Sequence, residues 1–190
     1  MIGAVPEQSR RYGARVAAFD LDADTTHPTD FLLLRNGGLA LYRQQTTLDE
    51  EQRALIALGY AITRLYASGW DESGLHDSFA TDLGFPEYYG RNLDALADCL
   101  YDVAHGDYGW STDATGLAVR LDGFGTFAGR EPDLVEATAS VMARATNAAL
   151  LFGHRLLWLL QVDDGQFRLG PVGCFQVPWN GREWLDANRR

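Results

Sequence analysis

Arg155-Leu156-Leu157-Trp158-Leu159-Leu160-Gln161-Val162 carries apolar side chains at six of eight positions, with no alternation between apolar and polar. A run this short and this evenly apolar is buried on both faces, which is the mark of a central strand in a parallel sheet. Asp163-Asp164-Gly165 closes it. Working backwards, Pro132 to Leu150 reads as a long helix, and Leu117-Ala118-Val119-Arg120-Leu121, entered through Gly116, as a second short strand. Tyr60 to Ala67 reads as a third, buried strand. Between these strands, Leu75, Phe79 and Leu83 recur at i, i+4, i+8 on a helix that Gly84 ends and Pro86 keeps from resuming. A further helix runs from about Leu93 to Val103. Strands that alternate with helices predict an α/β fold with a mainly parallel sheet, because parallel neighbours need a crossover.

Outside this region the signals are shorter. Phe31-Leu32-Leu33-Leu34 and Leu39-Ala40-Leu41-Tyr42, separated by Asn36-Gly37-Gly38, read as a hairpin-like pair. Thr47-Leu48-Asp49-Glu50 has the form of a capping box that opens a helix over about 48–58, with Gly59 as its stop. Residues 1–28 read as an arm with at most one strand, Val16 to Phe19. The tail offers a short strand near Val172 to Val177 and two tryptophans, Trp179 and Trp184.

Composition narrows the function. The chain has 190 residues, 46% of them hydrophobic, which suits a folded globular protein long enough to bury a core without staples. Its net charge is −10, which opposes binding to nucleic acid or an anionic membrane and favours a basic partner. All 16 basic residues are arginine, so any chemistry that depends on a lysine is excluded. Two cysteines, Cys99 and Cys174, form no CxxC motif and are too few for a disulfide scaffold. No signal-like or membrane-spanning stretch is present, so the expected location is the cytoplasm. No cofactor and no metal site are expected.

The charge is concentrated. Ten acids between Asp71 and Asp113 face a single base, Arg91, so this stretch holds nine of the ten net negative charges. Leu93, Leu96, Ala97 and Leu100 form a core face of one helix, whereas Asp94, Asp98 and Asp102 recur on another at i, i+4, i+8. Like charges at that spacing cost about 0.2–0.5 kcal/mol per pair, and acids late in a helix oppose its dipole. A solvated acidic face is the ordinary reading of such a stripe. Phe85, Tyr88, Tyr89 and Tyr101 beside it suit instead an interface whose partner supplies arginine, lysine or histidine.

These residues also carry a likeness. Phe85-Pro86-Glu87-Tyr88-Tyr89-Gly90-Arg91-Asn92-Leu93-Asp94-Ala95-Leu96-Ala97-Asp98-Cys99-Leu100 resembles the signature of the barstar family, intracellular protein inhibitors of guanyl-specific ribonucleases. The resemblance extends over about 60–163 and implies a small parallel three-stranded sheet packed by helices, with no catalysis of its own. It implies three parts: a 1–58 arm and β-hairpin/helix extension, a 59–163 barstar-like domain, and a 164–190 tail that packs on the core. It also implies a contact set of Tyr88, Asn92, Asp94, Ala97, Asp98, Tyr101 and Asp102. In that set Asp98 is the anchor that enters the nuclease active site, Asp94 pairs with a basic group near the guanine-binding region, and Tyr88 packs on the rim. A carboxylate is a planar acceptor that arginine clamps in bidentate fashion, so it can stand where an RNA phosphate belongs without being cleaved. Ala97, where the family prototype has a bulky aromatic, and Arg144, where it adds an acid, are departures that bear on which nuclease is bound.

Other readings are weaker. An immunity protein against a different basic nuclease toxin shares the same partner class. Val16-Ala17-Ala18-Phe19-Asp20-Leu21-Asp22 resembles the strand and DxD of haloacid-dehalogenase-type phosphatases, with Asp163-Asp164 as the later acidic pair, but the lysine such an enzyme uses is missing. Asp20, Asp22 and Asp24 fail as a calcium loop because Thr25 stands where glycine is required. Asp94 with Asp98 as a glycosidase pair is the generic enzymatic alternative. His27, His76, His105 and His154 form no ligand or base pair by spacing.

Overall fold

The computed structural model describes residues 28–172 and 176–184. Four strands, β1 (Leu39–Tyr42), β2 (Ala61–Tyr66), β3 (Leu117–Asp122) and β4 (Leu156–Gln161), form one all-parallel sheet in the order β1-β4-β3-β2. Leu117 stands opposite Leu156 on one side and Ala61 on the other, and Leu39 opposite Trp158. The helices are α1 (Pro28–Arg35), α2 (Gln45–Ala57), α3 (Glu72–Asp82), α4 (Leu93–His105), α5 (Phe124–Arg130), α6 (Pro132–Leu151) and the short α7 (Gly181–Trp184).

Both faces of the sheet are covered, which explains the unbroken apolar runs of the two central strands. Leu117, Val119 and Leu121 of β3 and Leu156, Trp158 and Leu160 of β4 belong to a large core that takes in Leu75 and Phe79 of α3, Leu96, Leu100 and Val103 of α4, Phe124 and Phe127 of α5 and Val135 and Met142 of α6. Ala118, Leu157 and Leu159 face the other way and meet Leu33 and Leu34 of α1, Leu48 and Leu55 of α2, and Tyr60. Helices α1 and α2 therefore roof the second face of the sheet.

Four local expectations need correction. Phe31-Leu34 is part of α1 and makes no hairpin with β1. Leu33 and Leu34 are buried while Phe31 and Leu32 are exposed, a grouping that fits a helix and not the alternation of a strand. Asn36-Gly37-Gly38 is the C-terminal cap of α1: the Gly38 N–H reaches the Leu33 carbonyl at 2.9 Å and the Gly37 N–H the Leu34 carbonyl at 3.0 Å, with Gly37 at φ 92°. A Cβ at Gly38 would lie 2.5 Å from Thr146 Cγ2, so the chain can enter β1 here only with glycine.

The capping box at Thr47 is not used, since α2 starts at Gln45, three residues before the expected start at Leu48, and its N-cap residue Gln44 makes no side-chain cap. Instead the buried Glu183 of the tail accepts the N–H of Gln44 at 2.8 Å and of Arg43 at 3.2 Å. Strand β2 is an edge strand with only Leu65 buried, not a fully buried one. Helix α5 is an addition to the expected elements, too short at seven residues to show a period; Phe124 and Phe127 bury it, and Arg130 donates to the carbonyls of Ser68 and Trp70 at 2.9 and 2.6 Å.

Pro178 to Asn180 cover the β1 edge: Leu41 N–H donates to the Pro178 carbonyl and Asn180 N–H to the Leu41 carbonyl, each at 2.9 Å. Val16 to Phe19, the Asp20-Asp22-Asp24 stretch, His27, Cys174 and the side chain of Trp184 lie outside the described residues, so neither the phosphatase-like strand nor a Cys99–Cys174 bridge is placed.

Candidate functional site

Helix α4 is built to hold one face in the core and one in solvent. The Asn92 side chain caps its N-terminus by accepting the Ala95 N–H at 2.9 Å, and its amide donates to the Gly90 carbonyl at 3.2 Å. Leu96, Cys99, Leu100, Val103 and Ala104 are buried, and the helix packs on α6. At the far end Gly106 is left-handed, and side-chain donors reach the last carbonyls: Trp110 Nε1 donates to Val103 O at 2.8 Å and His154 Nδ1 contacts Ala104 O at 3.0 Å. Those contacts offset the penalty of placing acids late in the helix.

The outward stripe differs from the i, i+4, i+8 pattern. Asp94, Asp98, Tyr101 and His105 are exposed, whereas Asp102 is half-buried. At roughly 100° per residue, eight residues carry a side chain about 80° round the helix, so i+7 stays in line and i+8 drifts away. Asp102 turns toward Tyr108, whose hydroxyl lies 3.3 Å from its carboxylate and 3.1 Å from Cys99 O. His105 was not singled out for this face; the 3.6-residue period was the signal that could have found it.

Among the described residues no hydrogen bond or ion pair is made by the carboxylates of Asp94 or Asp98. The one arginine of the acidic segment, Arg91, held at φ 49°, pairs with Asp77 on α3. Tyr88 stands at the tip of the Pro86–Tyr89 turn, 84% exposed, while its neighbour Tyr89 turns inward to meet Phe85 edge-on at 5.0 Å and the buried His76 through its hydroxyl. Tyr101, 53% exposed, leans on Phe152 at 5.3 Å. Ala97 is half-buried on the flank of the stripe, and Arg144 of α6 is exposed. Of the seven residues expected at the interface, Tyr88, Asp94 and Asp98 thus project freely, Tyr101 is exposed but braced by Phe152, Asn92 is exposed but works as the helix cap, and Ala97 and Asp102 sit at the margin.

The chemistry available here is acceptance of hydrogen bonds and charge. Cys99 is buried, which pushes its thiol pKa up and away from reactivity. Among the described residues no group of three or more histidine, cysteine or acidic side chains could hold a metal, and no helix is long and apolar enough to cross a membrane.

Comparison with known proteins gives this geometry a context. The family model described as barstar (barnase inhibitor) matches residues 67–161, half of the chain. A Bacillus subtilis (strain 168) protein named "Putative ribonuclease inhibitor YrdF" is 69% identical over 26 residues, which is 14% of this chain and 29% of that relative. The matched span runs from the end of β2 to the last residue of β4 and contains the whole of α4 with its capped, solvent-facing carboxylates; the chain belongs to the barstar (barnase inhibitor) family.

Proposed function

We propose that this chain is a protein inhibitor of a basic ribonuclease of the guanyl-specific type, which it blocks by laying α4 across the active site. The observation that carries this reading is the state of Asp94 and Asp98: both are exposed on a capped helix, without a partner among the described residues, while Arg91 is committed to Asp77. A nuclease cleft that grips RNA phosphates offers fixed arginine and histidine donors, and a carboxylate in place of the phosphate satisfies them with no bond to cleave. Asp98, one turn inside the helix, is the anchor; Asp94 and Asp102 flank it, with Tyr88, Asn92, Ala97 and Tyr101 forming the rim. The protein performs no catalysis in this reading and needs no cofactor.

Electrostatic steering by the acidic segment makes association fast and salt-sensitive. The test is titration of the chain into barnase while RNA cleavage is followed: stoichiometric inhibition that Asp98→Ala removes supports the reading, and unimpaired cleavage sinks it. A second reading, immunity against another basic nuclease toxin, is favoured by Ala97 and Arg144, which leave the stripe with a different rim; binding to such a toxin without inhibition of barnase would select it.

A further inference from the structure

The acidic stripe does not end at Asp98. One turn further along α4 it runs into Tyr101 and, a second turn on, His105, whose Nδ1 lies 3.0 Å from Asp107 Oδ1; both rings stand edge-on against Phe152, the C-cap of α6, at 5.3 and 4.7 Å with interplanar angles of 83°. Beside Phe152, Leu151 is 84% exposed, equal with Tyr88 as the most exposed of the large hydrophobic side chains among the described residues. The ends of two packed helices thus bring three interlocked rings together, which lose little freedom on being covered, with the exposed Leu151 next in sequence to the Phe152 ring they share.

We propose that Tyr101, His105, Leu151 and Phe152 form an apolar shelf that extends the carboxylate stripe and seats an apolar patch of the same basic ribonuclease, beside its catalytic cleft. This rests on the reading of α4 given above. Continuity identifies the occupant: Tyr101 belongs to both surfaces and lies one helical turn, roughly 5 Å along the axis, from Asp98, so a partner whose arginines reach Asp98 meets the near edge of the shelf. The two parts divide the work in the usual manner of such interfaces. The carboxylates govern encounter and register, whereas the desolvated apolar contact holds the complex together once formed.

Leu151→Asp separates the two contributions, because a basic partner attracts the added charge while an apolar contact is destroyed by it. Its side chain is almost wholly exposed, so folding is little affected. Binding to immobilised barnase is followed by surface plasmon resonance for wild type, Leu151→Asp, Leu151→Met and Asp98→Ala, with sedimentation equilibrium of each chain alone. The shelf requires that Leu151→Asp dissociate at least about tenfold faster at an undiminished association rate, and that Leu151→Met bind as wild type. Unchanged or tighter binding by Leu151→Asp, with Asp98→Ala defective, overturns the shelf and leaves the α4 reading intact. A wild-type chain that dimerises and is made monomeric by Leu151→Asp assigns the shelf to a second copy and overturns the proposal. No binding of wild type, or Asp98→Ala indistinguishable from it, overturns both.

Discussion

Asp30 and Arg155 are joined inside the protein: Arg155 Nη1 donates to Asp30 Oδ2 at 3.0 Å with both side chains buried, although 125 positions separate them in the chain. The Tyr60 hydroxyl donates to the same carboxylate oxygen at 2.9 Å. Burial, followed by the adjacent Asp30 charge, pushes the Tyr60 phenol pKa far up, so the hydroxyl stays a donor. One carboxylate therefore ties α1 to the start of the central strand β4 and to the residue that leads into β2. Replacing it by alanine takes one buried, hydrogen-bonded partner from the Arg155 guanidinium and from the Tyr60 hydroxyl together, and removing one member of a buried ion pair costs about 3–5 kcal/mol. Asp30→Ala should lower the urea midpoint accordingly, and a midpoint within experimental error of wild type would show that the pair contributes nothing.

A truncated chain of residues 60–163 should not fold. Without α1, β1 and α2 it bares Ala118, Leu157 and Leu159, turns β4 into an open edge, and removes Asp30 from Arg155 as well as Asp49 and Gln52 from the buried Arg120, which they contact at 2.7 and 2.9 Å. Circular dichroism with denaturant titration checks this. A cooperative transition from the fragment would mean that the extension is an added surface and not part of the sheet's cover.

The legible parts of the fold are those whose signal is local. RLLWLLQV announces a strand covered on both faces, and Leu75, Phe79 and Leu83 mark α3, because their own neighbours in sequence show the pattern. Phe31-Leu32-Leu33-Leu34 has no period to read, and what makes it a helix is remote: Asp30 meets Arg155, and the glycine cap leads into a strand that pairs with β4. The start of α2 is likewise set by Glu183, some 140 residues away, so Thr47 was a plausible but false cap. In the candidate site, the exposure of Asp94 and Asp98 on one helix face is readable from their spacing. The drift of Asp102 follows from helix geometry, whereas the meeting of Tyr101 with Phe152 depends on how α4 and α6 pack.

Asp98→Ala should divide binding from stability. The interfacial charge is lost, at a cost to affinity of about 2–5 kcal/mol for a hydrogen-bonded charge pair in a desolvated contact. The fold loses one like-charge neighbour of Asp94 and Asp102 at i, i+4 spacing, so the unfolding free energy should stay level or rise by a few tenths of a kcal/mol. Asp98→Asn keeps shape and removes charge, and should weaken inhibition nearly as much. A destabilised Asp98→Ala chain that still inhibits would reverse the assignment.

The segment that presents Tyr88 and Asn92 should respond to acid through His76. That ring is buried beneath it; Nδ1 contacts the Tyr89 hydroxyl, and Nε2 has no hydrogen-bond partner among the described residues. Burial pulls its pKa below the ordinary histidine value, and the Arg91 charge adds to this against the opposing pull of Glu72. The unfolded chain therefore binds the proton more readily, so the stability held by neutral His76 is complete above about pH 6.5 and declines as the pH falls toward the lowered pKa of the folded state. Buried Glu51 works the other way: burial raises its carboxyl pKa, and its ionisation weakens the fold as pH rises above the ordinary carboxylate range. Comparing His76→Gln with wild type at pH 7.5 and 5.5 cancels the Glu51 contribution. The wild type should lose more stability than the variant between those values, and should inhibit relatively less well at the lower pH if the Tyr88 turn loosens with the ring. Parallel stability curves for the two chains would remove His76 from any role in acid sensitivity.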